Sequence, residues 1–378
     1  MIDAVAIGIP DGGDDDPESN LATRPQNERL AGLTTIWRLP ANTLPALAKY
    51  AKQAASGGGM SPQARILLLR DPLILPAPGC LEALARVIDA GANCACPASR
   101  QLLARLSPPD YLTLRGFERY ADRLAALAST PVQPLPCGEE PTMALTLLKC
   151  LGDDSWRNQA VQVPTAWAHD FSGYRQHRRE EIIPLVPPGV RRILDVGGGE
   201  GGFLRALKAT RPLCETHLAE AHEPSCQLAA VNADYVWRGD FLEMTFDRSF
   251  DCICFLDVLE HAVEPERYLA HALQYLDARG SIVLSIPNVG HWSVIADLLE
   301  GRWDYAPAGI HCISHLRFFT PKGVRELLNN ARLVIEREAR LKIPPPPWFE
   351  PSSLQGPLSI DQDSLETYAL CAVAQRSC

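Results

Sequence analysis

The stretch that decides the fold lies at residues 193–205 and reads Ile-Leu-Asp-Val-Gly-Gly-Gly-Glu-Gly-Gly-Phe-Leu-Arg. An apolar strand ends at Asp195, a glycine-rich loop follows, and a helix begins directly after the loop. Gly197, Gly199 and Gly201 remove side chains where a ligand must lie against the backbone and where the chain turns sharply into the helix. The pattern predicts a ligand-binding loop between a strand and a helix of an α/β domain.

The charge at the end of the strand separates two classes of ligand. Gly197, Gly199 and Gly202 also satisfy the G-x-G-x-x-G fingerprint of dinucleotide-dependent oxidoreductases. However, a carboxylate at Asp195 would repel a pyrophosphate docked on the helix N-terminus, whereas it would attract a positively charged amino-acid head. S-adenosylmethionine carries such a head and no phosphate. The D-x-G-x-G-x-G run after a strand closely resembles the first motif of class I methyltransferases.

Length and charge narrow the class of protein further. The chain has 378 residues, which is long for one core and favours two domains. Its net charge of -9 argues against a nucleic-acid partner. No apolar run reaches membrane-spanning length. The 12 cysteines include no C-x-x-C pair, so we interpret them as reduced apolar residues of a cytoplasmic protein.

Residues 1–160 are predicted to form a smaller N-terminal α/β domain, because short apolar strands alternate with helical patterns. The run that begins at Arg65 faintly resembles family 2-like glycosyltransferases, in which a D-x-D after a strand binds a metal ion. Only Asp71 is present here, and Arg70 precedes it. Since the metal ion needs a carboxylate pair, we predict a degenerate accessory domain that shapes the substrate site or mediates a homodimer.

Residues 166–378 are predicted to form the methyltransferase domain. The resemblance implies a Rossmann-like sheet that is mostly parallel, with a reversed C-terminal strand. The runs Leu333–Glu336 and Tyr368–Ala374 fit the reversed edge pair of that sheet, which also argues against an oxidoreductase. A charged helix is predicted over Tyr174–Ile183, before the first strand.

The resemblance also assigns residues to the cofactor. Glu220 ends the second strand of the domain, where a carboxylate accepts hydrogen bonds from both ribose hydroxyls. Asp240 would accept from the exocyclic amine of adenine, and Phe241 would cover the ring. Leu256 and Asp257 would line the methionine portion. A surface position for Glu220 is the alternative interpretation.

A second cluster follows the fourth strand. Asp257-Val-Leu-Glu260-His261 resembles the E-x-x-E-H signature of ubiquinone-type O-methyltransferases and small-RNA 2'-O-methyltransferases. His315 fits the place of a further histidine in those families. Two carboxylates and two imidazoles suit a divalent cation. The alternative is that Glu260 and His261 form a structural hydrogen-bonded pair.

The sequence thus predicts an enzyme that methylates a small-molecule or glycan-type acceptor, at oxygen. His261 and His291 are the candidate general bases, because a histidine near its unperturbed pKa accepts a proton at neutral pH. A buried structural histidine is the alternative at each position. The alternative function is a non-catalytic S-adenosylmethionine-binding or scaffold protein whose N-terminal domain recruits a partner.

Overall fold

The computed structural model describes residues 2–9, 35–41, 43–57, 59–106, 109, 111–136, 139–151, 155–171, 174, 177–350 and 359–377. The chain divides into two compact units: unit 1 comprises Met1–Ser172 and Asp304–Ile313, and unit 2 comprises Gly173–Trp303 and Ser314–Cys378. Among the helices of the described ranges, none combines the length and apolar character that a membrane span needs.

The division differs from the sequence-based boundary in two respects. The sequence begins the methyltransferase domain at residue 166, whereas unit 1 extends to residue 172 and includes the strand Ala168–Asp170. The sequence places residues 304–313 in the methyltransferase domain, whereas the structure assigns them to unit 1. Within that segment, Ala308 packs against the apolar core of unit 1, and Ala306 forms a β-bridge with Cys312. Unit 1 therefore takes part of its core from a distant stretch of chain, which local periodicity does not reveal.

Unit 1 is an α/β layer structure. Its seven-stranded sheet has the order β2-β1-β3-β7-β5-β8-β6, in which β7 runs antiparallel to β3 and β5, and β6 antiparallel to β8. Strands β4 and β9 form a separate antiparallel pair. The strands are Ala4–Ile9 (β1), Ile36–Pro40 (β2), Arg65–Leu69 (β3), Ile74–Pro76 (β4), Cys94–Pro97 (β5), Gln133–Pro134 (β6), Met143–Leu147 (β7), Ala160–Val163 (β8) and Ala168–Asp170 (β9). The helices are Leu44–Gly57 (α1), Cys80–Asp89 (α2), Arg100–Leu106 (α3), Leu114–Ala125 (α4) and Ser155–Asn158 (α5).

Both faces of the unit 1 sheet are buried at its central strand β3. On β3, Leu67 and Leu69 belong to one apolar cluster, while Ile66 and Leu68 belong to the cluster on the opposite face. Alternate residues of a strand point to opposite faces, so a strand covered on both sides is apolar throughout. This explains the continuous apolar run that predicts the strand.

Unit 2 has a seven-stranded sheet of order β12-β11-β10-β13-β14-β16-β15. All neighbours from β12 to β14 are parallel, and β16 runs antiparallel to β14 and β15. The strands are Arg192–Val196 (β10), Glu215–Glu220 (β11), Tyr235–Arg238 (β12), Phe250–Leu256 (β13), Leu276–Pro287 (β14), Leu333–Lys342 (β15) and Thr367–Arg376 (β16). The helices are Gly202–Thr210 (α6), Glu223–Ala229 (α7), Pro265–Tyr275 (α8), Trp292–Leu299 (α9), Pro321–Asn330 (α10) and Gln362–Glu366 (α11). The predicted fold class, a Rossmann-like sheet with a reversed C-terminal strand, is confirmed.

The parallel strands of unit 2 bring their carboxyl ends to one edge of the sheet. Ligands of open α/β sheets bind at this edge. The segment before the sheet is not the predicted charged helix over Tyr174–Ile183: in its described part, a 3-10 turn spans Glu180–Leu185 and includes Pro184. Arg179, directly before the turn, has a left-handed φ of 46°, which ends any helix there.

Candidate functional site

The glycine loop between β10 and α6 has the backbone that its sequence predicts. Gly197, Gly199 and Gly201 have φ values of 67°, 56° and 77°, in the left-handed region that favours glycine. A Cβ on Gly197 would lie 2.8 Å from Cγ2 of Val258. The loop is therefore held close to the neighbouring strand end and exposes backbone rather than side chains.

Asp195 lies beneath this loop. Its side chain is 1% exposed, and neither carboxyl oxygen has a hydrogen-bond partner in the described part of the chain. A Cβ on Gly198 would lie 2.3 Å from Oδ2, so the carboxyl group occupies the space that the missing side chain leaves. Burial, together with the negative charge of Glu220, raises the pKa of Asp195 to about 8, and Arg179 opposes the shift. A positively charged ligand at this strand end would compensate the carboxylate.

Glu220 ends β11 and connects two neighbouring turns. Its Oε2 accepts a hydrogen bond from the Gly199 N–H at 2.9 Å, and its Oε1 accepts from the His222 N–H at 2.8 Å. The carboxylate thus lies directly beside the glycine loop, at the carboxyl edge of the sheet. Its predicted contact with the ribose stays a prediction that this position suits.

Asp240 and Phe241 face different surroundings. Asp240 is exposed, and its Oδ1 accepts a hydrogen bond from the Leu242 N–H at 2.9 Å, which begins the 3-10 turn Phe241–Glu243. The Phe241 ring is 4% exposed and packs against His271, with ring centroids 4.9 Å apart. This burial leaves little of the ring face to cover an adenine, so the sequence-based role of Phe241 is not supported by its packing.

A buried guanidinium joins the ends of β13 and β14. Arg179 Nη1 donates to Asp257 Oδ2 at 2.5 Å, and Arg179 Nη2 donates to Ser285 Oγ at 2.8 Å. Ser285 Oγ in turn donates to Asp257 Oδ1 at 2.7 Å, which closes a ring of three side chains. Leu256, half-buried, precedes Asp257 at the end of β13. Both predicted cofactor residues therefore lie at the expected edge of the sheet.

Sequence reasoning missed Arg179 and Ser285. Arg179 stands in the charged run Arg178-Arg179-Glu180-Glu181, where no periodicity distinguishes it from a surface arginine. It is 9% exposed, whereas the side chain of Arg178 is 61% exposed. The local sequence carries no signal that distinguishes Arg179 from its charged neighbours.

The second predicted cluster forms in part. Ligand atoms of Glu260, His261 and His315 lie within 4.8 Å of one another. Glu260 is 1% exposed, and its carboxyl oxygens have no hydrogen bond in the described part of the chain. Burial, and the charge of Asp257, raise the pKa of Glu260 well above its usual value. A buried carboxylate without donors is a natural cation ligand.

Long-range backbone contacts bring His315 to this cluster. The Glu260 carbonyl accepts hydrogen bonds from the N–H groups of Leu316 and Arg317, at 2.8 and 2.9 Å. The His261 and His315 rings meet edge to face, 4.7 Å apart. Asp257, the fourth predicted metal ligand, lies outside the group because its carboxyl oxygens accept hydrogen bonds from Arg179 and Ser285. Three of the four predicted ligands therefore lie together, and Asp257 does not; the metal site itself stays a prediction.

His291 has a structural position. It is 0% exposed and caps the N-terminus of α9, where its Nδ1 accepts from the Ser293 N–H at 3.3 Å. Its Nε2 lies 3.1 Å from the Ile343 carbonyl, so this nitrogen carries the proton and donates it. Burial lowers the pKa of His291 to about 4. With both nitrogens engaged within the fold, His291 is corrected from candidate base to helix cap.

Part of the chain is similar to known methyltransferases. Residues 163–338 match the family model described as a methyltransferase domain. The ubiquinone biosynthesis O-methyltransferases of two Rickettsia bellii strains are 24% identical over 156 residues, which cover 38% of this chain and 62% of each relative. The chain thus spans less than two thirds of the length of these curated relatives. The solved structure of the CcbJ methyltransferase from Streptomyces caelestis matches with a TM-score of 0.38 and 12% identity, covering 55% of this chain and 90% of that one.

Proposed function

The family model of a methyltransferase domain matches residues 163–338, and unit 2 carries the Rossmann-like sheet of a class I methyltransferase that uses S-adenosylmethionine. On this premise we propose that the chain methylates an oxygen atom of a small-molecule or glycan-type acceptor. The observation that carries the proposal is the buried, unpartnered carboxyl of Asp195 beneath the glycine-rich loop 197–201. A phosphate-bearing cofactor would oppose ionisation of this carboxyl and gain no attraction from it, whereas a sulfonium cofactor would stabilise the ionised form. We propose a cytoplasmic location, in keeping with the free thiols of the ten described cysteines, of which nine are buried.

The residues at the carboxyl edge of the sheet suit this cofactor. When bound, S-adenosylmethionine supplies a methyl group activated by its positively charged sulfur. Glu220 would hold the ribose, and Asp240 would hold the adenine amine. The glycines of the 197–201 loop would let the backbone approach the cofactor closely. Asp195 would face the positive charge of the ligand. Arg179 keeps Asp257 oriented at the end of β13. These residues contribute alignment and exclusion of water.

The acceptor proton needs a base, and His261 is our candidate. Its half-buried ring lies in the 3-10 turn Leu259–His261, directly after the β13 end that carries Asp257. A neutral alcohol is a poor nucleophile, so removal of its proton as the methyl group is transferred lowers the barrier. His261 is also part of the three-residue cluster with Glu260 and His315. The two roles exclude each other, because an imidazole that coordinates a cation no longer accepts a proton; with a cation bound, the cation would take the place of the base.

We propose that this cluster holds a divalent cation. Its donor set of one carboxylate and two imidazoles suits Mn²⁺, Zn²⁺ or a related ion, and a cation there would stabilise an alkoxide on the acceptor. The support is the mutual approach of the three ligand atoms and the lack of donors to Glu260 in the described part. The competing interpretation is a buried acid and two packed imidazoles that only hold the turn after β13.

For unit 1 we propose an accessory role without glycosyl transfer. Arg70 forms an ion pair with Asp170 at 2.5 Å, and Asp71 Oδ1 accepts a hydrogen bond from the Leu73 N–H at 2.7 Å. The single carboxylate after β3 thus serves the local turn, and an arginine precedes it. Whether unit 1 mediates a homodimer can be tested by analytical ultracentrifugation of the full chain.

Transfer of labelled methyl groups tests the proposed activity. The full chain is incubated with methyl-labelled S-adenosylmethionine and panels of phenolic, catecholic and sugar hydroxyl acceptors, and products are identified by mass spectrometry. We expect label on oxygen, none with Gly199→Val, and a large loss with His261→Ala at unchanged cofactor affinity. Cofactor binding without transfer to any acceptor would favour the scaffold alternative. Tight NADH binding without S-adenosylmethionine binding would overturn the proposal.

A further inference from the structure

We propose that Asp195 makes the site selective for the charged cofactor over its demethylated product, and that Asp195 releases a proton to solvent when the cofactor binds. This inference rests on the proposed function. When the cofactor binds, the O–H bond of the buried Asp195 carboxyl group breaks, and the proton passes to water or buffer.

The location of Asp195 makes an isolated negative charge costly. In the sheet it pairs with Leu218 on one side and Cys254 on the other, neither of which offers a positive charge. Oδ2 lies against the backbone of the Gly198 turn, with no room for a side chain between them. A buried carboxyl without hydrogen-bond donors favours its neutral form.

The groups around Asp195 do not offset the free-energy cost of a negative charge on its carboxyl group. Glu220, at the end of β11, is negative and disfavours ionisation, and the thiol of Cys254 on β13 is neutral. Arg179 is the positive group that acts on Asp195, but its donors are directed elsewhere. Its Nε donates to Glu181, its Nη1 to Asp257 and its Nη2 to Ser285. The pKa of Asp195, at about 8, means that the carboxyl keeps its proton at neutral pH.

The two ligands differ by one charge. S-adenosylmethionine carries a sulfonium, an ammonium and a carboxylate, whereas the thioether product lacks the sulfonium charge. A positive charge near a buried carboxyl counts for more than it would in water, because the surroundings have a low effective dielectric. The cofactor therefore lowers the pKa of Asp195 and drives ionisation, and the product does so less. Loss of the methyl group then weakens binding and promotes product release.

The affinity for each ligand should depend on pH, in a direction that the ionisation of Asp195 sets. Between about pH 6 and pH 8, ionisation of Asp195 becomes easier, so affinity for S-adenosylmethionine rises with pH. Affinity for the thioether product rises less. Asp195→Asn keeps the shape of the side chain but cannot ionise, and should flatten both profiles. Asp247→Asn is the matched control, because Asp247 is an exposed acid that pairs with Arg248.

Isothermal titration calorimetry tests the proposal on the full chain. Wild type, Asp195→Asn and Asp247→Asn are titrated with S-adenosylmethionine and with S-adenosylhomocysteine at about pH 6.5, in two buffers of different ionisation enthalpy. At this pH the amino groups of both ligands are protonated. We expect proton release with S-adenosylmethionine in wild type and Asp247→Asn, and none in Asp195→Asn. We expect Asp195→Asn to weaken S-adenosylmethionine roughly tenfold more than the product, the equivalent of one pKa unit.

The outcomes separate this inference from the proposed function. Binding of S-adenosylmethionine by wild type without proton release, or equal weakening of both ligands in Asp195→Asn, would overturn the role of Asp195 and leave the methyltransferase proposal intact. Absence of binding in wild type would overturn the proposed function itself. Because proton release is measured in wild type, the result does not depend on whether Asp195→Asn folds.

Discussion

Arg179 and Asp257 hold each other at the carboxyl end of β13, with Arg179 Nη1 donating to Asp257 Oδ2 at 2.5 Å, and both have left-handed backbone, with φ of 46° and 57°. Such backbone is costly for residues with side chains and persists where surrounding contacts determine it. Ser285, bonded to both, supplies such contacts. The pair thus orients the end of β13, which lies beside the glycine loop.

Arg179→Met should weaken S-adenosylmethionine binding by roughly tenfold or more, the usual scale for the loss of a charge-assisted contact. Asp257 loses its orienting partner, and the negative charge that Asp195 would acquire on cofactor binding loses the positive group that offsets it. Calorimetry measures the affinity. Arg178→Met is the control: its side chain is 61% exposed, and its ion pair with Glu180 contributes little. Equal affinities in the two variants would contradict the role of Arg179.

Gly198→Ala should abolish cofactor binding and lower the melting temperature. Its Cβ would lie 2.3 Å from Asp195 Oδ2 and 2.8 Å from Leu218 Cδ1, so the loop or the carboxyl must move. Gly323→Ala, at the start of α10, meets its nearest atom at 3.8 Å and should be neutral in both measurements. Thermal denaturation with and without S-adenosylmethionine reads out both effects. Retention of the ligand-induced shift in Gly198→Ala would count against this loop as the cofactor site.

His291→Asn should retain methyl transfer, because asparagine is also a good N-cap and the histidine is not the base. His261→Ala, in contrast, should lose it. The folded-state pKa of His291, about 4, lies below the unfolded value of 6.5, so its contribution to stability is present above pH 6.5 and is lost as pH falls towards 4. His291→Asn should therefore abolish this loss of stability at acidic pH, which urea denaturation would measure. A large fall in turnover with unchanged stability would restore His291 as a base.

Chelation should remove activity while leaving cofactor affinity and melting temperature nearly unchanged, if Glu260, His261 and His315 hold a cation. Added Mn²⁺ should restore turnover, and direct titration should show one Mn²⁺ site that Glu260→Gln removes. Asp257→Asn serves as the comparison, because Asp257 lies outside the three-residue group and should leave the Mn²⁺ site in place. Full activity of metal-stripped protein would end the cation proposal and favour a structural cluster.

Unit 1 should show no metal-dependent hydrolysis of, or transfer from, common sugar nucleotides, because a single carboxylate at Asp71 cannot replace a pair. The assay uses the full chain, with product detection by chromatography. Substituting Asp71→Asn should leave methyl transfer unchanged within experimental error. Sugar-nucleotide turnover that Asp71→Asn abolishes would show that the domain is an active glycosyltransferase.

Local sequence determined the core of the proposed cofactor site. The glycine spacing from 197 to 201, the acid at the end of β10 and the acid at the end of β11 all follow from strand and turn patterns that span a few residues. The reversed strand pair also appears as two apolar runs. These features are readable because backbone conformation and strand periodicity depend on near neighbours in the chain.

Only the tertiary structure decided which side chains meet and which are already engaged. Arg179 lies 78 residues from Asp257, and residues 304–313 enter the core of unit 1 from the far half of the chain. The sequence placed Asp257 among the metal ligands and His291 among the general bases, because a carboxylate can bind a cation and an imidazole can accept a proton. Their partners, Arg179 and the Ile343 carbonyl, come from distant segments. Hydrogen bonding and burial, which set the charge state and availability of each group, depend on such long-range contacts and not on local pattern.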